Sequence, residues 1–150
     1  MSLTEYKKKR NLEKSGEPLK SSSKKLSKKI FVIHKHHASH LHWDLRLEMN
    51  HVLKSWAVPK EPPESKGTKR LAIQVEDHPL SYAKFEGEIP EGNYGAGKVE
   101  IWDEGKYELI NKSPKEIEVE FHGKKLKGKY VLIKTHYGSK PEKSWLFFKV

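Results

Sequence analysis

The chain contains no cysteine. That absence excludes a disulfide framework, a zinc–thiolate centre and a thiol nucleophile. No apolar run is long enough for a signal peptide or a membrane span, so we expect a cytosolic, cytoplasmic protein without membrane contact. No long helical period and no internal repeat can be read in it. A nucleotide-binding P-loop is missing too. Asn93-Tyr94-Gly95-Ala96-Gly97 is glycine-rich but lacks the G-K-[ST] element, and a strand pattern rather than a helix follows it.

What is present is charge. Lys and Arg total 30 against 20 Asp and Glu, for a net charge of +10 over 150 residues, a length that suits one domain. Polyanions are the partner class this balance favours, because Lys and Arg contacts to phosphates release counterions. The excess is concentrated at the start. Residues 1–29 hold ten Lys or Arg and three Glu, leaving +7 in that segment alone. We read it as a basic, partly flexible N-terminal arm, either simply solvated or touching a nucleic-acid backbone. Leu3, Tyr6 and residues 10–12 can make a short docking helix in it, and Ser15-Gly16-Glu17-Pro18 a turn. Residues 30–150 form the folded body, with 4 Trp, 6 Tyr and 5 Phe in the whole chain to supply a core.

The body reads as strands. His42 to Met49 alternates strictly: His42, Asp44, Arg46 and Glu48 on one face, Trp43, Leu45, Leu47 and Met49 on the other. Ile30–Ile33 is a buried strand before it, and Ala38-Ser39 the bend between. Asn50-His51 is a tight turn into Val52–Val58, followed by the loop Pro59–Thr68. In Arg70–Glu76, Leu71, Ile73 and Val75 share one face and Arg70, Ala72, Gln74 and Glu76 the other. Residues 80–93 read as mostly loop. Lys98–Trp102 and Tyr107–Ile110 read as two strands joined by a hairpin at Asp103-Glu104-Gly105. Ile117–Phe121, Lys129–Lys134 and Trp145–Val150 complete the set. Trp56, Trp102 and Trp145 are expected in the core. About eight short antiparallel strands with regular turn signals predict a mostly β fold, a barrel or a sandwich.

Nine histidines stand in the chain, with five at positions 34, 36, 37, 40 and 42. Residues two apart on one strand face lie about 7 Å apart, so His42 and Asp44 can share one cation. A third ligand from His36 makes a two-imidazole, one-carboxylate set with open positions. On spacing alone His34, His37 or His40 serves as well, and an incidental cluster on a polar strand is the bland alternative. Manganese, zinc, iron and cobalt all suit such N and O ligands. Arg46 and Arg70 each sit on a polar strand face, where a barrel can bring them together on a phosphate, or where they pair with Glu48 and Glu76. His78, between Asp77 and Pro79, suits proton transfer or phosphate binding. Tyr82 and Lys60 are weaker candidates of the same kind.

These residues carry a resemblance. The segments KHHASHLHWDLRLE (35–48), LKSWAVPKEP (53–62), RLAIQVEDHPLSYAKFEGEIPEGNYGAG (70–97) and IWDEG (101–105) resemble the 3′-phosphoesterase module of bacterial ligase D and its free-standing bacterial and archaeal relatives. The opening LTEYKKKRNLEKSGEP is similar to that family's start. The resemblance implies a compact antiparallel β-barrel with short flanking helices. It implies a metal-dependent enzyme, with manganese favoured, that removes a 3′-terminal ribonucleoside and then the 3′-phosphate from a DNA primer–template, leaving a 3′-OH for repair and end joining. It places metal ligands on His36, His42 and Asp44. It places phosphate-binding and catalytic groups on Arg46, Arg70 and His78, supported by Tyr82, Lys60, Glu76 and Glu17. His34 stands where that family usually has an amide. With no ligase or polymerase module in the sequence, the free-standing form is expected, with a separate DNA ligase and an end-binding protein as partners. A non-catalytic nucleic-acid-binding barrel and a small-molecule metalloenzyme are the competing readings.

Overall fold

In the computed structural model, residues 29–92, 96–137 and 140–150 are described. Among the described residues there are nine strands: β1 (Lys29–His37), β2 (His42–Met49), β3 (Val52–Val58), β4 (Lys69–Pro79), β5 (Gly87–Ile89), β6 (Gly97–Ser113), β7 (Glu116–His122), β8 (Lys127–Lys134) and β9 (Ser144–Lys149). They pair antiparallel in the order β1-β2-β3-β4-β9-β8-β7-β6, and β6 pairs back onto β1. The sheet therefore closes into an eight-stranded barrel, which removes the exposed edges an open sheet would leave. The three-residue β5 adds to β6 at Gly97–Val99. The flanking helices among the described residues are two short 3-10 turns, Leu80–Lys84 and Pro141–Lys143. No helix among them is long and apolar enough to cross a membrane. The expected helix and turn of the arm, with Glu17, lie outside the described residues, as do Asn93, Tyr94 and Gly95.

Side chains sort by strand parity. Phe31, Ile33, Leu45, Leu47, Trp56, Val58, Ala72, Tyr107, Val119, Phe121, Tyr130, Leu132, Trp145 and Phe147 fill the barrel interior. Trp102 is partly buried against them, so all three tryptophans expected in the core belong to it. A second, smaller cluster lies on the outside. Val32, Leu53 and Ala83 are buried there, with Ile30, Leu80, Tyr82 and Ile101 packed around them. It fastens the Leu80–Lys84 turn onto the outer surface of β1 and β3. This patch positions the functional site.

Four sequence expectations are corrected. Ile30–Ile33 lies in the first half of a strand that begins at Lys29 and continues to His37, so His34 and His36 are strand residues on the face shared with Val32. Asp103-Glu104-Gly105 makes no hairpin, because β6 runs unbroken from Gly97 to Ser113. Asp103 turns inward, 3% exposed, and its carboxylate accepts the backbone N–H groups of Glu104, Lys124, Lys125 and Leu126. Gly105 permits the strand crossing, since a Cβ there would stand 2.5 Å from the His122 carbonyl oxygen. Residues 80–93 carry the 3-10 turn and β5, not only loop. In β4 the face carrying Ala72 and Gln74 points inward. Ala72 is wholly buried and Gln74 accepts the indole N–H of Trp145, while Val75 pairs with Ser55 on the outer face. The Asn50-His51 turn holds, with both residues at positive φ (51° and 68°), the two-residue hairpin geometry.

Candidate active site

β2 carries the site on its outer face. His42, Asp44 and Arg46 point away from the barrel core, while Trp43, Leu45 and Leu47 anchor the strand from inside. β1 runs beside it in register, setting His36 opposite His42 and His34 opposite Asp44. One ligand atom from each of His36, His42 and Asp44 lies within 4.8 Å of the others, the one such group among the described residues. Asp44 is 6% exposed. Its Oδ2 is 3.6 Å from His36 Nδ1 and its Oδ1 3.3 Å from His42 Nε2. His42 Nδ1 lies 3.0 Å from the carbonyl oxygen of His40. That nitrogen donates to the carbonyl, which turns Nε2 toward Asp44 and leaves it for coordination. A buried carboxylate between two imidazole nitrogens, one with its second nitrogen already satisfied, fits a borderline or hard divalent cation. His34, His37 and His40 stay outside this set: His34 is occupied as described below, His37 pairs with Glu100, and exposed His40 contributes its backbone carbonyl.

Electrostatics follow from this packing. Burial alone would raise the Asp44 carboxyl. Hydrogen bonds from His36 and His42 and the charge of Arg46 outweigh it and hold Asp44 well below the usual carboxylate range. The hydrogen bond to Asp44 raises His42 against the opposing effect of burial.

Arg46 is 4% exposed and held on every side. Nε donates to His34 Nδ1 at 3.1 Å, NH1 to Ser55 Oγ at 2.8 Å, and NH2 lies 3.4 Å from Asp44 Oδ2. His78 Nδ1 is 3.1 Å from NH1 and 3.1 Å from the Glu76 carbonyl oxygen. It serves one of them at a time, accepting from Arg46 or donating to Glu76. Burial, and next the Arg46 charge, lowers His78 and favours its neutral ring. Burial likewise lowers His34, to about 4. Tyr82, raised by burial, lies over the guanidinium at 5.0 Å and stacks on Phe85 at 5.0 Å.

The groups face an open cleft of 330 Å³ lined by His36, His42, Asp44, Glu76, His78 and Tyr82, with Ala57, Val75 and Ile89 as apolar walls. Six expected site residues besides Arg46 thus line or enter one place. Arg70 does not join them. It pairs with Phe147 on the inward parity of β4, and its Nε donates to the Glu61 carbonyl at 2.7 Å. Arg46 and Arg70 are therefore not brought together, because the closed barrel puts them on opposite faces of the sheet. Neither takes the expected glutamate: Glu48 accepts the Ile30 N–H instead. Lys60 is exposed in the loop two residues beyond β3. Sequence reasoning missed Ser55, wholly buried under Arg46, and left His34 only as one of three alternatives to His36 on spacing, without its bond to Arg46. A serine at strand parity with Ala57, directly across from Arg46, was the available signal for the first.

Residues 34–134 match the sequence model of a family described as DNA Ligase D 3′-phosphoesterase domain. Similar proteins include the multifunctional non-homologous end joining DNA repair protein LigD of Mycobacterium tuberculosis, 47% identical over 139 residues. That match covers 89% of this chain and 18% of the relative. The LigD proteins of Pseudomonas aeruginosa and Mycolicibacterium smegmatis are 43% and 44% identical, over 98% and 96% of this chain and 18% and 20% of their own lengths. The chain spans about a fifth of the length of these relatives.

Proposed function

The chain belongs to the DNA ligase D 3′-phosphoesterase family, and from that premise we propose that it is a metal-dependent phosphoesterase that trims DNA 3′ ends. Its substrate is a primer–template whose 3′ end carries a ribonucleoside or a phosphate, and its product is a 3′-OH ready for a separate ligase. An end-binding protein is the further partner of such a reaction. The single observation that carries the reading is the buried Asp44 between His36 and His42, with Arg46 next to it on the same strand face and an open cleft before them.

His36, His42 and Asp44 hold a divalent cation, manganese first, with zinc and cobalt as alternatives. Bound there, it supplies Lewis-acid polarisation of a phosphoryl oxygen and a water of lowered pKa. Arg46 contributes the guanidinium proton that His34, Ser55, Asp44 and His78 leave over, donated to a phosphoryl oxygen as negative charge builds. His78, with Nδ1 accepting from Arg46, carries its proton on Nε2. That Nε2–H donates a hydrogen bond to the departing oxygen; as the P–O bond breaks, the hydroxyl of water joins phosphorus and the proton water gives up passes to that oxygen, so His78 stays a neutral ring. Tyr82 holds the guanidinium plane and offers its hydroxyl to the cleft. Glu76 shapes the rim beside His78. Arg70 acts through the loop it anchors at Glu61, the loop that carries Lys60 toward the DNA backbone. Glu17, on the arm, contributes from outside the described residues.

The test is an oligonucleotide duplex with a 3′-phosphate, incubated with protein and Mn²⁺, with and without EDTA. Metal-dependent phosphate release, lost in His42→Ala and Arg46→Ala, is the expected result. Retention of the duplex without turnover would make the protein a binding module. Inertness toward both would make it an enzyme of another substrate.

A further inference from the structure

His34 has no solvent exposure, and its two ring nitrogens face partners of opposite kind. Nδ1 lies 3.1 Å from Arg46 Nε, which can only donate. Nε2 lies 3.1 Å from the Phe85 carbonyl oxygen, which can only accept. The ring therefore carries its proton on Nε2 and its lone pair on Nδ1, the one arrangement both partners permit. Phe85 closes the 3-10 turn Leu80–Lys84, which carries Tyr82. Tyr82 stacks on Phe85, meets the edge of His34 at 5.3 Å and lies over the Arg46 guanidinium.

The plane of a guanidinium is set by bonds at two different nitrogens. In Arg46 the bonds are Nε to His34, NH1 to Ser55 and His78, and a longer one from NH2 to Asp44. Without the Nε bond the group is held at NH1 by Ser55 and His78 and at NH2 only by the longer 3.4 Å contact to Asp44, a carboxylate that a bound cation also draws on, so its swing about NH1 is less restrained and the aim of NH2 into the cleft less fixed. We propose that His34 is a positioning residue: it fixes the orientation of Arg46 and ties it to the Tyr82–Phe85 segment, so that the arginine and the tyrosine meet the substrate as one rigid unit. It is not a metal ligand, since both its nitrogens are engaged elsewhere. The inference rests on the functional reading above for its kinetic readout and is independent of it for its spectroscopic one.

The chain has three arginines, Arg10, Arg46 and Arg70, so its arginine Nε–H region in a ¹⁵N–¹H spectrum holds few signals. The Arg46 signal is assigned by its loss in Arg46→Lys. In the wild type it exchanges slowly with solvent. In His34→Leu it exchanges roughly tenfold faster or more, because the acceptor is gone. In His34→Gln, whose amide accepts and donates at once, protection returns. On the 3′-phosphate duplex His34→Leu lowers kcat by roughly tenfold or more while KM and Mn²⁺ affinity stay near wild type, and His34→Gln recovers most of the loss. A protected Arg46 signal in folded His34→Leu overturns the proposal. So does a folded His34→Gln protein that fails in both readouts, which remains decisive if the leucine variant does not fold. A wild type without phosphoesterase activity would refute the functional reading, and the spectra would still decide the role of His34.

Discussion

Oδ2 of Asp44 and NH2 of Arg46 lie 3.4 Å apart on one strand face, so a carboxylate that faces two imidazoles also neutralises the guanidinium. Both side chains are almost wholly buried. A substitution at Asp44 must therefore register twice. Asp44→Asn keeps the shape and removes the charge. We expect Mn²⁺ affinity, measured by calorimetry, to fall by more than ~100-fold, since losing a ligand exceeds the loss seen for its supporting partners. In EDTA the same variant loses about 2–3 kcal/mol of stability in urea titrations, because Arg46 is left buried without its counter-charge. Unchanged stability in EDTA would mean that Arg46 finds its balance elsewhere.

The fork of Arg46 predicts that lysine cannot replace it. One ammonium cannot serve His34, Ser55 and Asp44 at their separate angles. Arg46→Lys should lower kcat on a 3′-phosphate by roughly 10²–10³, the effect of losing one aimed donor, with Mn²⁺ binding retained. Steady-state kinetics beside metal calorimetry check this, and a lysine variant of wild-type rate would defeat it.

Arg70 separates from Arg46 by mechanism. Its guanidinium bonds the Glu61 carbonyl, so its influence passes through the Pro59–Thr68 loop. Arg70→Ala should raise KM for DNA while changing kcat less than Arg46→Ala does. A collapse of kcat in Arg70→Ala at unaltered KM would instead place that guanidinium on the reacting phosphate.

The sequence made some of this readable and hid the rest for physical reasons. The strict alternation of His42–Met49 needs only one buried face, and it is found on β2 as expected. The same logic misleads on β4. There Leu71, Ile73 and Val75 look like the core face, yet the small Ala72 is the buried residue, because Trp56 and Trp145 already crowd the interior beside it. Asp103-Glu104-Gly105 carries turn residues for reasons other than a turn: the aspartate caps a neighbouring loop and the glycine lets β7 approach. His34 was visible as one of five clustered histidines and as a departure from the amide usual in the family, but not as a partner of Arg46. Its partner Phe85 lies 51 residues away, and no local pattern announces a bond of that span.

That cap makes a prediction unrelated to catalysis. Four backbone N–H groups converge on Asp103, and Leu126 among them is fully buried. Asp103→Ala leaves them unsatisfied, for a loss of about 3 kcal/mol and a melting point lower by roughly 6–12 °C at this chain length. Asp103→Asn, which keeps one acceptor oxygen, should fall between. Differential scanning calorimetry decides, and an alanine variant that melts with the wild type would show the loop to be held by other contacts.

Alkaline stability follows from Tyr107 and Tyr130, both without solvent exposure. The Tyr107 hydroxyl donates to the Glu48 carbonyl and the Tyr130 hydroxyl to the Pro63 carbonyl, each at 2.6 Å. Burial, with Glu48 near the first and Glu64 near the second, pushes both phenols well above their ordinary value of 10.0. A phenol raised on folding holds its proton in the native state while the unfolded chain loses it. The stabilising effect is thus complete below pH ~10 and declines above it, by about 1.4 kcal/mol per pH unit for each such group. Tyr107→Phe removes one titrating group and strands the Glu48 carbonyl. It should be less stable than wild type at pH ~8 and lose stability less steeply between pH ~10 and ~11.5. Lysines that discharge over the same range do so in both proteins and cancel in the difference. Urea midpoints across that range, with phenolate absorbance recorded on the same samples, give both slopes. Parallel slopes would mean that Tyr107 ionises inside the folded barrel.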